Sequence, residues 1–304
     1  MKIDIERLSI TVEVLSMKIF SALLSIVLLV YGCLMLIPPK PVKNVSFYGD
    51  TDGLVIAHRA GRGLMPGNTL AAAKSAISLG SSIVELDIQM TKDEMIVVRH
   101  DATIESTSNG AGFIREMSFK QLSEYKFGFN KLDFPNADKN LSFPISLLAS
   151  FFELFPSQRF MIEIKPTEPK VNKAVCDIIT KSDAHKRVLI GSFNTHTLKI
   201  FRDECPHVAT SLGRSEITWA YILKSIGLGN LFRSSGYSVQ LPYQIFDSPM
   251  VRFNIIEFFH EMNMKVDVWT VNNTEKMEKL INLGVDGIIT DYPDLLLSLS
   301  EGNK

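Results

Sequence analysis

Residues 83–101 read IVELDIQMTKDEMIVVRHD. Side chains two apart on a strand share a face, so Glu85 and Asp87 point one way while Val84, Leu86 and Ile88 point the other. Carboxylates within an apolar strand are costly to bury unless a charge or a metal compensates them. A second apolar run, MIVV at 95–98, leads into Arg99, His100 and Asp101. Outward from this stretch, short β-rich runs at 54–58, 160–164, 188–190, 209–212, 238–241, 266–271 and 286–290 alternate with helical patterns. The helices are expected near 68–79, 118–125, 144–155, 169–181, 196–204, 217–226, 249–262 and 275–283, with one more closing the chain. About eight strand–helix units in about 250 residues predict an α/β fold, a (β/α)8 TIM barrel. No GxGxxG follows the first strand, which counts against a dinucleotide-binding sheet. Residues 103–143, rich in Gly, Ser and Asn, interrupt the alternation and are expected to form a small insertion over one face.

The 304 residues carry 32 Lys plus Arg against 33 Asp plus Glu, a net charge of −1. No global field favours nucleic acid, and no such partner is expected. With 46% hydrophobic and 21% charged residues the chain is not disordered as a whole. Cys33, Cys176 and Cys205 are too few for a disulfide framework and fit no zinc or dithiol spacing.

Residues 20–37, FSALLSIVLLVYGCLMLI, contain no charge and are bracketed by Lys18 and Lys40. Eighteen helical residues reach about 27 Å, close to a hydrocarbon core of about 30 Å. A cleaved signal peptide should have a shorter apolar region and end in small residues of A-x-A type, which are missing here. The expected organisation is a tail at 1–17, a transmembrane signal-anchor at 18–39, a linker at 40–53 and a barrel domain at 54–300. Lys2, Arg7 and Lys18 precede the span and Lys40 and Lys43 follow it, a slight bias that places the barrel outside the cytoplasm.

In a parallel barrel the reacting groups gather where strands end, at the C-terminal face. Those positions hold His58 and Arg59, Glu85 and Asp87, His100, Glu163 and Lys165, and Trp269. Three carboxylates with no cysteine nearby suit a hard divalent cation, Mg²⁺ or Ca²⁺; the alternative is buried ion pairing with Arg59 and Lys165. His58 and His100 are either an acid–base pair or structural residues. Arg59 and Lys165 are suited to a phosphate oxyanion. Trp269 either lines the mouth or packs the barrel.

HRAGRGLMPGNT (58–69), VELDIQMTKDEMIVVRHD (84–101), EIKP (163–166), VWTVN (268–272) and DGIITDYP (286–293) resemble the glycerophosphodiester phosphodiesterases over about residues 54–297. The resemblance implies metal-dependent hydrolysis of a small-molecule or lipid phosphodiester to glycerol 3-phosphate and an alcohol, on a barrel reached from the membrane through the N-terminal helix. It implies Glu85, Asp87 and Glu163 as metal ligands, His58 and His100 as the acid–base pair, Arg59 and Lys165 as phosphate contacts, and Trp269 at the substrate mouth. Two departures stand out: the family's HRG and PENT read HRA and PGNT here, with Ala60 and Gly67 in the changed positions. Two other functions are weighed. Phospholipase D-like cleavage of lysophospholipids is favoured by an apolar rim of Phe113, Phe119, Phe127 and Phe129; a non-catalytic phosphodiester-binding barrel is favoured by the two departures.

Overall fold

The computed structural model describes the backbone over residues 2–49, 54–247 and 255–301, and side chains over 15–49, 55–246 and 255–299. Residues 50–53 of the expected linker and 249–254 of the helix expected near 249–262 lie outside the described residues. The chain divides into two compact units, residues 41–218 with 234–304, and residues 1–40 with 219–233.

The larger unit is the barrel. Its strands in chain order are β1 (Leu54–Ala57), β2 (Ile83–Met90), β3 (Ile96–Val98), β4 (Arg159–Ile164), β5 (Val188–Gly191), β6 (Ala209–Thr210), β7 (Ser238–Pro242), β8 (Lys265–Trp269) and β9 (Gly287–Thr290). Eight run parallel in the order β6-β5-β4-β2-β1-β9-β8-β7, and a parallel bridge from Ser211 to Ser238 nearly closes the ring. The expected (β/α)8 barrel is therefore present. The run at 95–98 is no barrel stave: β3 folds back antiparallel on β2.

Strand β2 shows why these residues build the wall. Val84, Leu86, Ile88 and Met90 face the outer helices in one apolar cluster, while Ile83 packs inside the ring with Ile56, Met161, Leu189 and Ile289. Each fully buried aliphatic side chain of this kind contributes about 1.5–3 kcal/mol. Helix α2 (Leu70–Leu79) presents Ala72, Ala73 and Ala76 to the strands, and Thr69 caps it by accepting from the Ala72 N–H at 3.1 Å. Helix α5 (Pro169–Lys181) starts on a proline and buries Val171, Val175 and Ile179, a helical repeat of four. Phe47 and Tyr48 close the N-terminal end of the ring, and the Arg159 guanidinium donates to both of their carbonyls.

The stretch at 103–143 forms a lobe with a core of its own, in which Ile104, Ile114, Leu122 and Phe127 are buried. The helix expected near 118–125 is only α3 (Phe119–Leu122), closed by a Ser118–Gln121 capping box. Of the apolar rim expected there, Phe113 is exposed and Phe119 and Phe129 are half-buried, while Phe127 is corrected. Phe127 is wholly buried, Phe129 packs on Phe134, and Phe113 lies under Arg115. Helix α4 (Leu148–Leu154) returns the chain to the wall.

Cys176 of α5 and Cys205, which ends helix α6 (Thr195–Glu204), form a disulfide across 29 residues. The sequence excluded a framework of disulfides but held no sign of this single bridge. Helices α7 (Arg214–Ser225), α8 (Ile255–Glu261), α9 (Thr274–Asn282) and α10 (Pro293–Glu301) complete the series.

The smaller unit is built on α1 (Lys2–Met35), whose segment Leu15–Met35 is long and apolar enough to cross a membrane and is not buried by other parts of the chain. Within this unit the Tyr31 hydroxyl donates to the Ile226 carbonyl at 2.7 Å. The Asn230 amide donates to the carbonyls of Leu34 and Ile37.

Candidate active site

Register brings the acids together. Strand β2 pairs with β4 so that Asp87 lies beside Glu163. Glu85, Asp87 and Glu163 each offer a carboxylate oxygen within 4.8 Å of the others. Asp87 is held on both sides by Asn68, which donates to its Oδ2 at 2.9 Å and accepts from its backbone N–H. Glu85 Oε2 accepts from the Arg59 backbone N–H at 2.6 Å. Two residues further along the same face, Gln89 donates to the His100 carbonyl, so β2 also seats a histidine.

Cations share the cluster. Lys165 Nζ lies 2.8 Å from Glu163 and 3.0 Å from Asp87, and Arg59 Nε lies 3.4 Å from Asp87. The ion-pair alternative is thus realised, but two cations face three acids. Burial and the charge of Asp87 push the Glu85 carboxyl well up, and burial pushes Glu163 up. Against its own burial, Asp87 is held low by Lys165 and Arg59. Burial pulls on the Lys165 ammonium, yet Asp87 and Glu163 outweigh it and hold Lys165 above its usual value. The donor set is all oxygen and one positive charge short, which fits a hard divalent cation.

The histidines stand on either side of this cluster, each with a carboxylate behind it. His58, just past β1, places Nδ1 2.6 Å from Asp291 Oδ1. Asp291 also accepts from Arg62 Nε and Asn272 Nδ2, each at 2.7 Å. These partners hold Asp291 low against its burial, so it is a carboxylate and the proton lies on His58 Nδ1. Burial lowers His58 despite that partner, leaving a neutral imidazole with Nε2 as its acceptor. His100 Nδ1 lies 2.6 Å from Asp101 Oδ1, and Ser106 donates to the other oxygen. The His100 bond holds Asp101 down to about 2.

These groups open onto one cavity of about 240 Å³, lined by His58, Arg59, Glu85, His100, Glu163, Lys165 and Trp269. Asp87 lies just behind this wall. Trp269 meets Phe193 edge-on at 5.5 Å, and together they form its apolar side. Trp269 both packs on Phe193 and lines this cavity.

Several side chains with clear geometry had no assigned role in the sequence. Asp291, Asn272 and Asn68 were visible only as parts of motifs. The departures at 60 and 67 have physical consequences. Ala60 is buried with φ 65, the left-handed region where glycine is favoured. A Cβ on Gly67 would lie 2.6 Å from the Arg62 Cβ. Arg62 occupies that space, pairing with Asp291 and with Asp133 of the lobe.

Comparison with known proteins agrees with this geometry. The model of the glycerophosphoryl diester phosphodiesterase family matches residues 58–295. A glycerophosphodiester phosphodiesterase of Caldanaerobacter subterraneus subsp. tengcongensis is 32% identical over 259 residues, 81% of this chain and 97% of that protein. A lysophospholipase D of Mus musculus is 25% identical over 79% of this chain and 84% of its own length. An Oleispira antarctica phosphodiesterase, solved with the product sn-glycerol-3-phosphate, superposes with a TM-score of 0.65 at 21% identity, covering 82% of this chain and 97% of that one. With the strand-end motifs, the barrel and these relatives in agreement, the chain belongs to the glycerophosphoryl diester phosphodiesterase family and is a phosphoric diester hydrolase.

Proposed function

We propose that the chain is a membrane-anchored, divalent-cation-dependent glycerophosphodiester phosphodiesterase, with Glu85, Asp87 and Glu163 holding Mg²⁺ or Ca²⁺. The observation that carries this reading is the convergence of three carboxylates and two carboxylate-backed histidines on one cavity. When bound, the cation supplies Lewis-acid polarisation of a phosphate oxygen. Arg59 and Lys165 bind the remaining phosphate oxygens and offset the charge that grows in the transition state.

His58 is the base. Its Nε2 takes a proton from the nucleophile, which is water or the substrate's own glycerol hydroxyl, while Asp291 steadies the imidazolium. His100 is the acid and gives a proton to the leaving alkoxide, oriented by Asp101 and by Gln89 beneath its carbonyl. The net reaction consumes one water and yields glycerol 3-phosphate and the alcohol. Trp269 and Phe193 wall the cavity against bulk water. Helix α1 anchors the barrel, and the Cys176–Cys205 bridge supports an oxidising, extracytoplasmic side, where disulfides persist.

The test is release of alcohol from glycerophosphocholine or glycerophosphoethanolamine, lost in EDTA, restored by Mg²⁺ or Ca²⁺, and lost in His58→Ala. No release from several headgroups with either metal would end this reading.

A second reading keeps the chemistry and enlarges the substrate. An apolar cleft of about 270 Å³, lined by Leu212, Ile217, Leu241, Pro242 and Ile245, adjoins the reaction cavity and shares Phe193 and Trp269 with it. This cleft, rather than the lobe phenylalanines, supports cleavage of lysophospholipids. Faster turnover of lysophosphatidylcholine than of glycerophosphocholine, reversed by Leu212→Asp, is the expected outcome; equal rates would exclude it.

A further inference from the structure

Next to His100 lies a second and smaller cavity, lined in part by residues of the insertion lobe. Arg59, Arg62 and His100 line both cavities, so the two share a wall. Arg99, Thr103, Thr107 and Asn130 also line the small cavity, as does Asp101, whose carboxylate oxygens are taken up by His100 and Ser106. Arg99 is the unusual member. It is only 5% exposed, and its Nη1 is shut away from solvent with no hydrogen-bond partner. The guanidinium lies over the Phe127 ring at 4.7 Å, which holds its plane but accepts no N–H in the way an oxygen would.

Buried guanidinium groups are ordinarily paired with an anion, because an uncompensated charge is expensive to remove from water. The two carboxylates whose charge reaches Arg99 are hydrogen-bonded elsewhere. Asp101 holds His100 and Ser106, and Asp87 is bonded to Asn68 and Lys165. Burial accordingly pulls Arg99 down to about 10. The side chain is short of an anion at a point that the reaction cavity can reach.

From Arg99 and the wall it shares with the reaction cavity, we infer a subsite for a carboxylate carried by the leaving alcohol, so that diesters of a hydroxy acid such as serine are preferred substrates. This rests on the phosphodiesterase reading. With His100 protonating the leaving oxygen, the alcohol's substituent passes His100 and enters the small cavity. The space there open to water-sized groups is about 20 Å³, little more than one water needs, so only the tip of a small substituent, such as a carboxylate oxygen, reaches Arg99. A planar carboxylate also matches the guanidinium fork.

The test uses the full chain in detergent and compares three diesters: glycerophosphoserine, glycerophosphoethanolamine, and the methyl ester of glycerophosphoserine. The methyl ester keeps the ammonium and adds little bulk but loses the negative charge. The expected kcat/KM for glycerophosphoserine exceeds both others by about 10-fold or more, chiefly through KM, as for a charge-assisted hydrogen bond. In Arg99→Met that ratio falls to near unity, and Arg99→Lys restores part of it. Equal kcat/KM for glycerophosphoserine and its methyl ester in the unmodified protein overturns the inference without any variant having to fold. A ratio that survives Arg99→Met overturns it as well. If none of the three is cleaved, the phosphodiesterase reading itself has failed.

Discussion

Both ends of the barrel bury acids, and they give them different partners. At the floor, Asp267 is fully buried, and the Tyr48 hydroxyl donates to its Oδ2 at 2.6 Å. Burial pushes this carboxyl up to about 7, although the Tyr48 bond pulls the other way. The neighbouring chain makes room for it at Gly287, where a Cβ would lie 2.4 Å from Asp267 Oδ1. At the mouth, Glu85, Asp87 and Glu163 sit among Lys165 and Arg59 beside an open cavity, in a cluster that remains one cation short. Burial raises the carboxyl at the floor and raises Glu85 and Glu163 at the mouth alike. What sets the mouth apart is that Lys165 and Arg59 hold Asp87 low there, whereas Asp267 has a tyrosine hydroxyl for its partner. The mouth retains the charge of Asp87 at a cost to stability, which suits the cation and phosphate site proposed above. Burial of a carboxylate alone does not separate the two roles; its partners and its access to a cavity do.

Glu85→Gln should break the comparison most sharply. The amide can still accept the Arg59 N–H but cannot carry the negative charge that holding a cation would need. Turnover of glycerophosphoethanolamine is expected to fall by about 10³-fold, on the scale of losing a preorganised electrostatic group. Stability measured by urea unfolding is expected to rise by about 1–2 kcal/mol. A variant that is inactive because it is unfolded would place Glu85 with the structural acids instead.

Asp267→Asn tests the other end. An acid whose folded pKa is raised binds its proton more tightly in the native state. Its contribution to stability is complete below the unfolded value near 4 and is lost as pH rises through about 7. Across that window the unmodified protein should lose up to about 4 kcal/mol from this group. The Asn variant should show a flatter stability profile between pH 4 and 7 with turnover unchanged. A profile as steep as that of the unmodified protein would mean Asp267 is already ionised at the floor.

The outer helical layer belongs to neither end, and its disulfide should act on stability alone. Cys176→Ser is expected to cost about 3 kcal/mol under oxidising conditions, the scale for closing a loop of this length. Addition of a reductant should bring the unmodified protein to the same melting temperature, and the reaction rate below that temperature should not move.

How much of this was legible in advance follows the reach of periodicity. Glu85, Asp87 and Glu163 could be read because alternation along β2 and β4 assigns each to a face, and parallel barrels collect reactive groups at strand ends. His58 and His100 could be placed by the same rule. The pairing of His58 with Asp291 could not, since 233 residues separate them and only closure of the ring brings them together. Phe127 was misjudged because irregular chain has no period that marks an inside, and its ring turned inward while Phe113 stayed exposed. Gly67 was visible as a lost carboxylate, but not the consequence that Arg62 moves into the space and ties Asp291 to the lobe.

Ala60 gives the smallest and most local test. It follows Arg59, whose N–H holds Glu85, and is buried in the apolar cluster that includes Ala57 and Ala72. Its φ of 65 costs an L-residue about 1–2 kcal/mol. Glycine would remove that strain but gives the unfolded chain more freedom, worth about 0.4–1 kcal/mol in the opposite direction. Ala60→Gly is therefore expected to stabilise the protein by about 0.5–1 kcal/mol. Because the turn is already set by its bond to Glu85, turnover should change by less than about twofold. A gain in turnover well beyond that would mean the strained turn holds Arg59 away from its best position, and would make Ala60 a brake on the mouth instead of a tolerated cost.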